Sequence, residues 1–469
     1  MYNIDFSKPI SIHFIGIGGI SMSGLAEILA DRGFPISGSD TKKSPLTESL
    51  ERKGVTVYYG QSASNITDSV QLVVYTAAIH EDNPELLAAK TKKIPCMTRA
   101  SLLGQIMKNY ELPIAISGTH GKTTTTSMIS EILLSADMDP TLSIGGILKS
   151  IDGNIRIGAS SYFVTEACEY TNSFLSFFPK VSLILNIEED HMDFFKDIEQ
   201  IRDSFHRFAK LLPKDGTLII NGDIKGIDAI ISDLECNIIT YGSKPEFDYF
   251  PKDITYDSLA RPSYTLCRSP KASQRNADSE ETAPKVTLGV TGEHNVLNSL
   301  AAIALADLLG ISLETVKRAL LSFHGTDRRF ELKGKLGEIT ILDDYAHHPT
   351  EIKATLQAAE KYPHKEIWCV FQPHTYTRTK AFLSDFATAL SLADHVVLTD
   401  IYAAREKNTI GISSMDLLKE LEKLGADCHY FPSFDEIENF LLENCSQGDL
   451  LITMGAGDVV NIGEKLLGM

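Results

Sequence analysis

The chain has 469 residues, 43% hydrophobic and 23% charged, with a net charge of −18. That is the balance of a folded protein of about three domains at ~150 residues each, and it excludes a nucleic-acid or anionic-membrane surface, which would need a basic footprint. No stretch has the roughly 20 uninterrupted apolar residues of a membrane span. Met1–Pro9 is not expected to act as a secretion signal, and seven scattered cysteines without a CxxC pair read as reduced thiols of a cytoplasmic protein.

Ile10–Ile15 is predicted as a strand running into GIGGISMSGLAEILADRG. Its glycines fall at Gly16, Gly18 and Gly19, with Ser21 where a dinucleotide fingerprint has its third glycine. A helix is expected to about Asp31, then a strand Pro35–Ser37 followed by Gly38, Ser39 and Asp40. An acid some twenty residues past such glycines meets a ribose or base. NAD fits this pattern, and so does any diphosphate, including a UDP-sugar, because the loop physics is the same. Further strand–helix units run through Val55–Tyr59, Leu72–Thr76 and the helix near Ala100–Met107, and residues 109–112 read as a linker.

The most informative stretch is Pro113–Ala136, PIAISGTHGKTTTTSMISEILLSA. A short apolar strand breaks at Gly118, Thr119, His120, Gly121, Lys122, Thr123 and Thr124, and Ile129, Ile132, Leu133 and Ala136 then recur at helical spacing. Glycines in a strand-to-helix turn let backbone N–H groups close around phosphate oxygens. Lys122 can reach the outer phosphates and the Thr123 hydroxyl can hold Mg2+. The usual phosphate loop has a glycine five residues before its second one, where this chain has Ile116. A strand Tyr162–Thr165 closes on Glu166, and Val181–Ile187 closes on Glu188, Glu189, Asp190 and His191. Parallel sheets bind ligands at the carboxyl ends of their strands, so Thr123, Glu166 and His191 are expected along one edge beside Lys122 as a Mg2+ site.

Strands Thr217–Asn221 and Ile238–Tyr241 follow, then a polar run, Ser269–Pro284, read as a mobile loop between edge strands without catalytic content. The helix of residues 292–310 opens with His294, Asn295 and Asn298; paired asparagines there suit a base edge as well as a cap. Beyond Phe323–Arg329, strands again end in polar clusters. Ile339–Leu342 leads to Asp343, Asp344, Tyr345, Ala346, His347 and His348; Glu366–Phe371 leads to Gln372, Pro373, His374 and Arg378; Leu450–Thr453 leads to MGAGD. Zinc on the adjacent histidines is disfavoured, since neighbours on an extended chain point opposite ways.

FIGIGGISMSGLAEIL, SGTHGKTTTT, NIEEDHMD, GEHNVLNSLAAIA, GTDRRFE, DDYAHHPTE, FQPHTYTRT and MGAGD occur in this order along essentially the whole chain. Together they resemble the Mur ligases, the ATP-dependent amino-acid ligases of peptidoglycan synthesis, and most closely the branch that adds L-alanine to UDP-N-acetylmuramate. The resemblance implies an α/β protein of three domains. These are a Rossmann-like UDP-sugar-binding domain (1–110), a central P-loop-type ATPase domain with a mostly parallel sheet (111–325) and a Rossmann-like C-terminal ligation domain (326–469). It implies ATP and Mg2+ on Lys122 and Thr123, Glu166 and His191 as metal ligands, adenine on Asn295 and Asn298, and ATP phosphate on Arg329. His348, His374 and Arg378 fall on the substrate side, and Gly16, Gly18, Gly19, Ser21 and Asp40 at the UDP end.

Several Mur ligases carry a carbamylated lysine about fifteen residues past the motif histidine. Phe205 and His206 occupy that neighbourhood here, as in the alanine-adding branch, with Lys196 and Lys210 outside it. Thr375 stands where some members have arginine. Cys168 stands where others have an acid two residues past Glu166, leaving Glu169 one residue off the spacing. The implied reaction is amide formation through an acyl phosphate, with His348 or His374 as candidate bases by residue type. The partners implied are UDP-N-acetylmuramate and L-alanine, without nucleic acid or membrane insertion, in a monomer or weak homodimer. The alternatives are a ligase adding a preformed peptide, an NAD-dependent oxidoreductase using Gly16–Asp40, and a non-catalytic nucleotide sensor.

Overall fold

The computed structural model describes residues 2–76, 78–273, 283–404 and 406–469. They form three α/β units, each built on its own sheet. The first sheet has five parallel strands in the order Thr56–Tyr59, Ile36–Asp40, Ile12–Ile15, Leu72–Tyr75, Cys96–Thr98. The central strand, IHFI, is buried throughout, as expected of a parallel strand covered on both faces. The strand expected to stop at Ser37 continues to Asp40, because Ser39 and Asp40 pair with Tyr58 and Tyr59.

The second sheet has ten strands. Its parallel centre places Val181–Ile184, Leu112–Ser117 and Tyr162–Ala167 side by side, so the phosphate loop lies between two other strand ends. One face is covered by the helices Lys122–Ser135, His294–Leu308 and Leu313–Ser322. The other is covered by Ile198–Ala209 and by the first unit, in one continuous apolar core. The strand expected to reach Ile187 ends at Ile184. There the chain bends over the phosphate loop, where Asn186 accepts from the Thr119 and His120 N–H groups. The third sheet has six strands, five of them parallel, with Leu450–Met454 and Ile367–Phe371 at its centre and Ile339–Asp344 beside them.

Residues 109–112 lead from the first unit into the second and are packed: Asn109 bonds the Ile4 carbonyl and the Phe6 N–H, and buried Tyr110 packs 5.0 Å from Phe163. The start of the Ser269–Pro284 run is also structured. Ser269 bonds Asp248, and Pro270–Ser273 forms a helical turn that buries Ala272. The rest of that run, 274–282, lies outside the described residues.

Candidate active site

At the first glycine loop, the Asp40 carboxylate accepts from the Gly18 N–H at 2.8 Å, and the Ser39 carbonyl accepts from the Gly16 and Ile17 N–H groups. The end of one strand therefore shapes the loop that follows another. Gly19 caps the helix Ile20–Asp31, whose Ser21 hydroxyl accepts from Arg99 at 2.9 Å. Arg99 is a residue that sequence reasoning missed; nothing in the local pattern joins one helix start to another 78 positions earlier.

The phosphate loop runs from Gly118 to the helix starting at Lys122. Gly121 holds φ +80°, and a Cβ there would stand 2.8 Å from Asn298 Oδ1, so only glycine fits this turn. Lys122 Nζ donates to the Gly118 and Thr119 carbonyls and to Glu169 at 3.1 Å. Burial works against the charge, but Glu169 more than offsets it, so the lysine stays a cation with its pKa above the ordinary value. Glu169 is thus the acid facing Lys122, although its spacing had set it aside. Thr171 and Asn172, both at positive φ, turn the chain just after it.

Thr123 Oγ1 donates to Glu166 Oε2 at 3.1 Å, and the Gly145 N–H donates to Oε1. Burial raises the Glu166 pKa against those bonds and the Lys122 charge. A hydroxyl and a carboxylate beside a phosphate loop are the hard oxygen donors that Mg2+ takes, so these residues fit the ion. His191 reaches this edge too, but its ring stacks on Tyr170 at 4.5 Å. Its Nε2 lies 3.6 Å from Glu169 and 3.7 Å from Asp190 rather than against Glu166. Phe205 and His206 stay away from the site: the first packs on Phe174 and the second pairs with Asp233.

A cavity of about 320 Å³ opens beside the loop, lined by His120, Gly121, Thr124, Asn295, Asn298 and Arg329 among others. Asn298 donates to Asn295 and Asn295 to the Thr291 carbonyl, so the two amides are oriented as a pair. Arg329 lies over the Tyr345 ring at 5.3 Å. Burial depresses the His120 pKa, but Glu188 and Glu351 on either side outweigh it and hold it up to about 9.

The third unit meets this edge through polar groups. Arg378 donates twice to Asp190 Oδ1, at 2.8 and 3.1 Å, and to His374 Nδ1 at 3.2 Å. The guanidinium keeps the Asp190 carboxyl far below its usual range despite burial. Burial, then Arg378, lower His374 to about 4. His348 donates Nε2–H to the Glu189 carbonyl at 2.9 Å, and its Nδ1 caps a helix by accepting from Thr350 N–H. This corrects the expectation of a ready base. In this arrangement neither histidine has a free lone pair, since the Nδ1 atoms of His348 and His374 both accept hydrogen bonds. Arg378, expected to face substrate, has its fork on Asp190.

Family models described as "Mur ligase family, catalytic domain", "Mur ligase middle domain" and "Mur ligase, glutamate ligase domain" match residues 11–111, 116–306 and 328–457. The UDP-N-acetylmuramate–L-alanine ligase of Agathobacter rectalis is 62% identical over 469 residues, covering all of both chains. The enzyme of that name from Lachnoclostridium phytofermentans is 57% identical over 477 aligned residues, again covering both fully. Among solved structures, UDP-N-acetylmuramate–alanine ligase from Thermotoga maritima matches with a TM-score of 0.79 at 29% identity, covering 98% of each chain. A murein peptide ligase from Psychrobacter arcticus matches at 0.71 and 25%, with 98% coverage of each. On sequence and fold alike, this chain belongs to the Mur ligase family.

Proposed function

We propose that the protein joins L-alanine to the lactyl carboxylate of UDP-N-acetylmuramate at the expense of ATP. The observation that carries this is the full-length identity, 62% and 57%, to ligases bearing that name. A carboxylate resists an amine because oxide is not expelled at neutral pH. The carboxylate oxygen attacks the γ-phosphorus, ADP leaves, and an acyl phosphate forms; the alanine amine then attacks the acyl carbon, loses a proton, and expels phosphate.

Lys122 and Arg329 neutralise charge on the phosphates, and the N–H groups of Gly121–Thr124 at the helix start position them. Asn295 and Asn298 present paired amides to the adenine. The Gly16–Ser21 loop with Asp40 takes the UDP end, Arg99 fixing Ser21. Mg2+ would sit on Thr123 and Glu166, with His191 as a further ligand, and would supply additional charge neutralisation. The third unit, through Arg378 and His374, closes the site against water, protecting the acyl phosphate. Dependence on ATP and a sugar nucleotide supports a cytoplasmic reaction.

A preformed peptide as acceptor draws support from the likeness to the murein peptide ligase, at lower identity. One assay separates the readings: ADP and phosphate release with UDP-N-acetylmuramate and ATP, with L-alanine, glycine, L-serine or tripeptide added singly. Release that depends on both sugar nucleotide and L-alanine is expected; release with tripeptide alone, or none, overturns the assignment.

A further inference from the structure

The seam between the central and third units holds side chains that the ligation chemistry leaves unused. His120 Nε2 is buried without a hydrogen-bond partner and lies 3.6 Å from Glu188 Oε2. That gap is long for a hydrogen bond, yet close to the ~3.4 Å separating two ligands of a tetrahedral ion with bonds near 2.0–2.1 Å. The other ring nitrogen, Nδ1, lies 3.1 Å from Glu351 Oε1. A carboxylate behind an imidazole in this way fixes the ring's orientation and directs the opposite nitrogen at a metal.

His348 supplies a second imidazole, its ring centre 4.7 Å from that of His120. Its Nε2–H bond to the Glu189 carbonyl fixes the tautomer with the lone pair on Nδ1, where the hydrogen bond from Thr350 N–H is long at 3.3 Å. One ligand atom from each of His120, Glu188 and His348 lies within 4.8 Å of the others, the one such group of three among the described residues. Two carboxylates, Glu188 and Glu351, flank the cluster and oppose the charge of a divalent ion. Two nitrogens and one oxygen favour the zinc class over magnesium.

We propose that His120, Glu188 and His348 form a binding site for a divalent ion of the zinc class, with a fourth position open to water, that staples the third unit to the phosphate loop. The three ligands come from the loop, the segment that follows a strand of the central sheet, and a helix start of the third unit. The ion therefore binds only when the seam is closed, and it does so without nucleotide. Ligation requires His348 to give up the Thr350 contact or turn its ring.

The test is titration of Zn2+ into the metal-stripped full chain without nucleotide, followed calorimetrically, with Co2+ as the spectroscopic probe. One Zn2+ per chain is expected, with the visible absorption of four-coordinate Co2+. Glu188→Gln and His348→Gln should each weaken Zn2+ binding at least ~30-fold and Glu351→Gln ~10-fold, while Glu166→Gln leaves it unchanged; thermal unfolding checks that each variant is folded. Absence of single-site binding to the wild-type chain overturns the proposal. So does binding that survives both ligand substitutions, an adventitious ion only, or binding lost in Glu166→Gln, which places the ion at the Thr123–Glu166 position.

Discussion

The central unit is joined to its two neighbours by seams of opposite character. Towards the first unit the contact is apolar and glycine-tight. One core runs through Leu25, Ile28 and Leu103 on one side and Phe163, Phe174 and Phe205 on the other. A Cβ on Gly24 would come within 2.3 Å of the Ile155 side chain, and one on Gly104 within 1.9 Å of the Ser176 carbonyl oxygen. Towards the third unit the contact is ionic and hydrogen-bonded: Asp190 with Arg378, Glu188 with Thr350, the Glu189 carbonyl with His348, His120 with Glu351. Among the described residues the apolar cores of the third unit contain only its own side chains. Dispersion and desolvation at a close-packed seam are lost at the first opening, whereas polar partners exchange for water. The first two units are therefore one body, and the third is a closing element held to the phosphate loop by exchangeable polar contacts.

The most severe way to break this contrast is Gly104→Ala. Its methyl meets backbone, not a flexible side chain, and should cost about 3 kcal/mol of global stability, read as a lowered denaturation midpoint; an unchanged midpoint would show that the seam yields. Next is Asp190→Asn, which leaves Arg378 buried without its counter-charge. The closed form should lose about 3 kcal/mol, seen as a fall on the order of 100-fold in kcat/KM. The melting of the first two units should hardly move, and a matching loss of global stability would erase the distinction. The smallest effect is expected for Thr350→Val, which removes a hydrogen bond to Glu188 at the rim: about 1 kcal/mol, a few-fold in KM for ATP with kcat nearly kept. A larger fall in kcat than in affinity would give Thr350 a part in the chemistry.

Contiguous features were legible. Gly118, Gly121, Lys122 and Thr123 follow one another closely between an apolar strand and a helical repeat, so residue type in that setting located the strand-to-helix turn although its glycine spacing departs from the usual phosphate loop. The meeting of Thr123 with Glu166 followed from the rule that parallel strands expose their carboxyl ends together. What stayed hidden depends on which distant segments pair. Asp190 and Arg378 are 188 positions apart, in separate units. Glu169 lies one residue off a familiar spacing and meets Lys122 just ahead of a local left-handed turn. Gly24 and Gly104 look like weak helix positions and show their reason only against Ile155 and Ser176. His348 has the chemistry of a base, and only its two occupied nitrogens reveal a helix cap.

Amide hydrogen exchange of the full chain, with and without a non-hydrolysable ATP analogue, tests the division into one body and a closing element most directly. Peptides covering 186–192, 345–353 and 374–380 should gain protection together when the nucleotide binds. Peptides covering 20–32, 99–107 and 153–158 should already be protected and stay so. Unchanged exchange across the polar seam, or a nucleotide-dependent change across the glycine-tight one, would contradict the account.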